Sequence, residues 1–324
     1  MNFEAVEQIA AAILYEGYIL YPYRKSAIKN RQRWNFGTLY PRVYAERQRP
    51  QEPFRFVAEL LAVDRGEAIL HIKMSFLQLA RQLGADGVQE LSDRSLAWEE
   101  AMERTWEHRE LKVRDLVAGQ VQLPVHLPGG LLPEGRSSVP APDLDVLLNI
   151  SAEALADGSC RVRLELENAS VLASGADAKR EEALPQSLVS AHLVLGVVDG
   201  EFISLLDPSV EYKDSVAGCN NVGVFPVLAG EEPDRTLMLC SPIILYDYPK
   251  IAPESEGDFF DSTEMDEMLT LRVLTLTDAE KEEMRQGDPR ARRILERTES
   301  LTGEAMLKVH GVVRSLREIR EETP

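Results

Sequence analysis

Five histidines, three cysteines and one glycine-bearing loop are where chemistry would be sought in this chain of 324 residues. Zinc hydrolysis asks for a paired spacing such as H-E-x-x-H, or for three ligands gathered by the fold. His71, His108, His126, His192 and His310 show no such pairing. His71 shares one side of its strand with Ile69 and Lys73, and His192 stands inside an apolar run, so both read as structural; a set built from His192 with Cys219 or Cys240 stays open. Cys160, Cys219 and Cys240 are odd in number and far apart, which fits buried reduced thiols rather than a disulfide framework or a C-x-x-C site. Gly130, Gly135, Arg136 and Ser137 approach a phosphate loop, but that loop must open a helix, and here Pro140 and Pro142 follow. No G-x-S-x-G elbow exists, and Ser241 precedes a proline. Asp258, Asp261, Glu264 and Asp266 lack the order of a calcium loop and read as a solvated helix start. No metal and no cofactor is expected, and no catalytic residue is assigned.

The charge pattern is more informative. Lys plus Arg number 36 against 54 Asp plus Glu, a net charge of -18, which disfavours uniform nucleic-acid binding. Between Arg24 and Arg49, however, stand eight bases and one acid, and six of the nine tyrosines fall between Tyr15 and Tyr44. Solvated basic stretches lack aromatics, whereas interfaces favour Tyr, Trp and Arg. The window 15–49 is therefore the expected partner-binding surface, carried by Tyr21, Tyr23, Arg24, Lys25, Lys29, Asn30, Arg31, Arg33, Trp34 and Tyr40. The competing expectation packs the aromatics inside and pairs the bases with the chain's own acids at Glu254 to Glu267.

Elements must hold these residues. Phe3, Val6, Ile9, Ala10 and Ile13 repeat at helical spacing. Three hairpins are predicted: Phe54–Leu60 with Ala68–Leu79 across Asp64-Arg65-Gly66-Glu67, Val146–Leu155 with Cys160–Val171 across Asp157-Gly158, and Leu188–Val198 with Glu201–Leu206 across Asp199-Gly200. Further strands are expected at Val121–Leu127, Val222–Leu228 and Thr236–Tyr246, and helix followed by strand over Ser95–Leu116. Capping patterns at Asp261–Glu264, Thr277 with Glu280, and Asp288-Pro289 mark a helical C-terminus, with a last apolar stripe from Met306 to Ile319. The fold class is thus α+β: an antiparallel sheet-rich body of one or two sandwich-like units, with an N-terminal helix and C-terminal helices. The expected organisation is 1–127, a Pro/Gly linker or loop at 128–143, a second sheet unit at 144–275 and a helical segment at 276–324. No run approaches the ~18 apolar residues of a membrane span, and Glu4 and Glu7 stand where a secretory leader carries bases, so a cytoplasmic protein is expected.

Several patches combine into a resemblance. They are Tyr18-Ile19-Leu20-Tyr21-Pro22-Tyr23-Arg24, Asn30-Arg31-Gln32-Arg33-Trp34, Ser204-Leu205-Leu206-Asp207-Pro208, Ser241 through Asp247, Ala252-Pro253-Glu254-Ser255, and Asp261 to Thr277. In these the chain resembles the uncharacterised proteins encoded in operons of high-affinity uptake nickel-iron hydrogenases of soil bacteria. The resemblance implies a non-catalytic accessory role, with a hydrogenase subunit or maturation factor as protein partner; it supplies no catalytic residues. The scattered histidines and cysteines do not fit a nickel carrier. Two other classes stand beside it: an anionic-ligand or nucleic-acid binding module through residues 24–49, and an enzyme whose site only the fold assembles.

Overall fold

The computed structural model describes residues 3–24, 27, 30, 33–81, 99–131, 140–172, 175–250, 266–286 and 289–300. Its strands are β1 (Arg55–Arg81), β2 (Glu99–Lys112), β3 (Val121–Leu127), β4 (Leu144–Ala154), β5 (Ser159–Asn168), β6 (Val189–Phe202), β7 (Phe225–Leu228) and β8 (Leu237–Ser241). The helices are α1 (Glu4–Leu14), α2 (Arg42–Ala45), α3 (Val113–Ala118), α4 (Arg180–Ala183), α5 (Lys213–Ala217), α6 (Asp266–Leu274), α7 (Asp278–Gln286) and α8 (Pro289–Ser300). All strands join one antiparallel sheet in the order β3-β4-β5-β1-β6-β8-β7, with β2 also paired to β1. The α+β expectation holds.

Two of the three predicted hairpins are instead bends inside single strands. Asp64-Arg65-Gly66-Glu67 does not reverse the chain: β1 runs on for 27 residues. Likewise Asp199-Gly200 lies within β6. The two signals sit opposite each other, Asp64 facing Gly200 and Ile69 facing Val198, so β1 bulges by several residues against one in β6. Local chemistry supports this. Asp64 Oδ1 accepts from the amides of Gly66 (2.8 Å) and Ala68 (3.0 Å), and Asp199 takes a φ of +54°. A turn and a bulge both ask for positive φ and a short polar side chain, so the sequence signal serves either. The middle hairpin is as expected: β4 pairs β5 across Asp157-Gly158, with Gly158 at φ +84°.

Beyond the bend the edges of β1 change partner. Arg55–Val63 pairs β5, Ile69–Arg81 pairs β2 on that same edge, and β6 lies along the other. Both halves nevertheless feed one apolar cluster, which includes Phe56, Leu60, Ile72 and Phe76 of β1, Leu148 of β4, Leu164 of β5 and Leu195 of β6. The opposite face of the β1–β6–β8 half is covered by α1, whose Val6, Ala10 and Ile13, with the preceding Phe3, pack on Val194, Val227, Leu237 and Leu239. Each large side chain so buried contributes roughly 1.5–3 kcal/mol.

Other boundaries moved. Over 99–118 strand precedes helix, the reverse of expectation: β1 offers β2 an edge to pair with, while Val113 and Leu116, three apart, bury as α3. Val222 makes only a single bridge to Val57, so β7 starts at Phe225. Strand β8 stops at Ser241 because Pro242 has no amide to give. Helix α7 begins with the expected box, Thr277 Oγ1 and amide both bonding Glu280 Oε2 at 2.9 Å, and α8 opens on Pro289. The patterns at 261–264, Asp288 and 306–319, and the acidic run before Asp266, lie outside the described residues.

The chain divides into two compact units, Met1–Gly17 with Trp34–Lys250, and Tyr18–Arg33 with Ile251–Pro324. These units are drawn differently from the expected segments. The stretch 128–143, expected as linker or loop, connects β3 to its sheet neighbour β4, and α6 falls in the same unit as α7 and α8. No helix among the described residues is long and apolar enough to cross a membrane.

Candidate functional site

The expected partner-binding residues do not form one exposed surface. Tyr23, Asn30, Arg33, Trp34 and Tyr40 are buried, and Tyr21 and Arg24 are partly so. Lys25, Lys29 and Arg31 lie outside the described residues. In the second unit Asn30 fastens its own loop: its side-chain amide donates to the carbonyls of Leu20 and Arg24, and its Oδ1 accepts from the Leu20 amide at 2.8 Å. Arg33 Nη1 donates to Tyr18 O and its guanidinium stands 5.7 Å from the Tyr18 ring. Arg24 pairs with Glu280 (3.0 Å) and Glu283 (3.4 Å) of α7. In the first unit Arg180 bonds Asn35 Oδ1 and the Tyr40 hydroxyl, Arg42 pairs with Glu46 and Glu167, and Arg47 pairs with Asp177. Among the described bases Arg24, Arg42 and Arg47 pair with carboxylates brought from elsewhere in the chain, while the acids expected to pair with this window, at 254–265, lie outside the described residues.

A different surface stands out. After Ser241 the chain leaves the sheet through Ile243–Tyr246, with Ile243 and Leu245 packed on the α1 cluster. By alternation Ile244 and Tyr246 point outward, 73% and 87% exposed. The segment is irregular yet pinned at both ends. Ser241 Oγ donates to Ile243 O and accepts its amide. Asp247 accepts from Ser204 Oγ (2.5 Å) and from the Leu228 amide (2.8 Å), and the Tyr248 amide donates to Leu228 O. Leu206, also exposed, lies two residues from that Ser204 anchor. An apolar ridge held in place before any partner arrives loses little freedom on binding.

The third feature is buried. His192 is fully enclosed on the α1 face of the sheet, opposite Ser75 of β1 and, by the β6–β8 register, Ser241. Its Nδ1 bonds Ser190 O at 2.9 Å while Nε2 has no partner. Burial first, then the nearby Lys73 charge, depress its pKa to about 4 against the Ser190 bond, so the ring is neutral. Ser190 is itself a bulge residue at φ +52°, and its hydroxyl caps Ile13 O at the end of α1. Cys240 opposes Leu193 and so faces the other side, inside the sheet core, which separates it from His192. Nor do the described residues contain a group of three His, Cys, Asp or Glu placed to hold a metal ion.

The chain matches no protein-family model and no curated protein. The ridge therefore has to be judged on its own chemistry. Sequence reasoning passed over it because Ile243-Ile244-Leu245-Tyr246 reads as the buried end of a strand; the signal that could have exposed it is Pro242, which ends the ladder and frees alternate side chains to face outward.

Proposed function

We propose that this protein is a non-catalytic accessory protein that binds a protein partner through the Ile244–Tyr246 ridge. Following the family resemblance of the sequence, the partner is a component or maturation factor of a nickel-iron uptake hydrogenase. The observation that carries the reading is the 87% exposure of Tyr246 on a segment fixed by Asp247 and Ser241. Tyrosine is among the residues that dominate binding energy, and truncating such an anchor costs about 2 kcal/mol, or about 30-fold in affinity. The ridge also lies in Ser241–Asp247, one of the patches on which the resemblance rests. The anionic-ligand alternative is weakened by the intramolecular pairing of Arg24, Arg42 and Arg47. The test is affinity purification of the tagged full chain from its native host, beside Ile244→Asp with Tyr246→Ala. Hydrogenase subunits or maturation factors should accompany the wild type and be lost from the double variant at unchanged melting temperature. Equal capture by both, or capture without any hydrogenase component, overturns the proposal.

A further inference from the structure

The apolar ridge borders a group of carboxylates. Phe225 opposes Ser241 at one end of β7, and at the other Leu228 bonds Asp247 and Tyr248, so Ile243–Tyr246 returns alongside that strand. The exposed Phe225 therefore flanks the start of the ridge, and Leu206, whose amide shares Ser204 Oγ with Asp247, flanks its end. Beside that end the loop joining β7 to β8 forms a fixed turn. The Asp234 amide donates to Glu231 O, Asp234 Oδ1 accepts the Thr236 amide at 2.8 Å, and Arg235 O accepts the Phe202 amide. Glu231, Glu232 and Asp234 of the turn are exposed, as is Asp207, which follows Leu206. The negative charges of Asp247 and Glu232 both reach Tyr248. Tyr248 is two residues, hence at most roughly 7 Å of chain, from Tyr246, which lies within the ~8 Å screening length at physiological salt.

We propose that the ridge receives a basic segment of its partner protein, which lays apolar side chains along Phe225, Ile244 and Tyr246 and sets Arg or Lys on the acidic turn. The inference rests on the ridge being the partner-binding surface and adds the chemistry of what binds there. Three observations favour a basic occupant. Of the five charged residues from Phe225 to Tyr248, four are acids, Glu231, Glu232, Asp234 and Asp247, and one is a base, Arg235. Exposed aromatic rings such as that of Tyr246 draw cations to their faces, so ring and carboxylates select the same sign of charge. The chain also shows the arrangement within itself, for Arg235 donates to the Tyr248 hydroxyl in the field of Asp247 and Glu232. In the proposed complex the apolar contacts supply the hold, while the turn steers the approach and sets the register of the segment. A second copy of this chain fits poorly, because two such turns would meet like charge with like in a protein of net charge -18. An acidic partner meets the same repulsion.

The probe is a fluorescein-labelled octapeptide of alternating Leu and Arg, titrated against the full chain by fluorescence anisotropy. Octapeptides alternating Leu with Glu, and Ser with Arg, are the controls, and each should bind at least about tenfold more weakly. Glu231→Lys with Glu232→Lys should weaken binding of the Leu–Arg probe about tenfold at ~0.05 M salt and far less at ~0.5 M. Tyr246→Ala should weaken it about tenfold at either salt. Glu153→Lys with Asp115→Lys makes the same change of net charge on β4 and on the α3 packed against it, with β5, β1, β6 and β8 between them and β7. That pair should alter binding less than about twofold. All variants should keep the wild-type melting temperature. No binding of the probe by the wild type, equal weakening by the two charge-reversed pairs, or a dimer in sedimentation that Tyr246→Ala dissolves overturns the proposal. Capture from the native host separates it from the reading it rests on. Partner capture kept by Glu231→Lys with Glu232→Lys but lost from Ile244→Asp with Tyr246→Ala refutes the basic occupant alone, whereas capture kept by the latter pair refutes the ridge itself.

Discussion

Replacing His192 with leucine should remove much of the acid sensitivity of folding in the first unit. The imidazole is enclosed beneath α1 and its pKa is pushed down to about 4, against 6.5 when unfolded. The sign follows from which state holds the proton. Above pH ~6.5 both states are neutral and the group contributes no pH dependence; below it the unfolded chain takes a proton that the folded chain refuses, so stability falls with pH. At 1.36 kcal/mol per pKa unit, as an order of magnitude, the loss amounts to about 3 kcal/mol by pH ~4. The charged group facing the ring from β1 is Lys73, whose ammonium pairs with Glu7 of α1 and Glu107 of β2. Two other histidines act in the same range. His71 is also lowered by burial, with the same sign, whereas His126 is raised by its bond to Asp145, so its stabilisation is present below pH ~6.5 and disappears as pH rises through its folded value. Neither is altered in the variant, so the difference between the two proteins isolates His192. Leucine leaves Ser190 O without its donor, a cost that is the same at every pH. Urea unfolding followed by far-UV circular dichroism at pH ~7 and ~4.5 should show the wild type losing about 2–3 kcal/mol more than His192→Leu over that interval. Parallel pH dependences would refute the argument.

Three further outcomes follow from the geometry. Gly200→Ala should cost about 1–3 kcal/mol in urea unfolding, because an added Cβ would lie 2.8 Å from Val63 O and 2.9 Å from Val197 Cγ2. Trp34→Ala should lower folding stability by about 3–5 kcal/mol, since the ring is buried; a stable variant impaired only in partner capture would return Trp34 to an interface. By NMR titration His126 should ionise above the ordinary 6.5, and Asp145→Asn should bring it down, because the Asp145 bond is the main cause of the rise.

What could be read ahead of the structure depended on whether a signal had one physical meaning or two. Strict alternation in Arg161–Glu167 permits only a half-solvated strand, and β5 is there. The i, i+3, i+7 pattern of Phe3, Val6 and Ala10 permits only an amphipathic helix, and α1 is there. Asp-Gly, by contrast, marks a positive φ without saying whether the chain reverses, and it was a turn at Gly158 but a bend at Asp199. Residues 99–112 carry too many charges to look like a strand alone; Met102 and Leu111 become buried because β1 lies beside them. The basic-aromatic window was visible as composition, but its partners Asp177, Glu280 and Glu283 are remote in sequence and unmarked by any spacing.

The opposed bends of β1 and β6 also constrain how this gene can change. Side chains alternate along a strand, so a one-residue change between Arg65 and Glu67 that passed on into Ile69–Arg81 would exchange its two buried faces, placing Lys73 where Ile72 belongs. A matching change at Asp199-Gly200, on the neighbouring strand and far away in the sequence, would keep the two strands paired. Natural length variation at the two places should therefore be inherited jointly, as if a single locus had been split between distant codons.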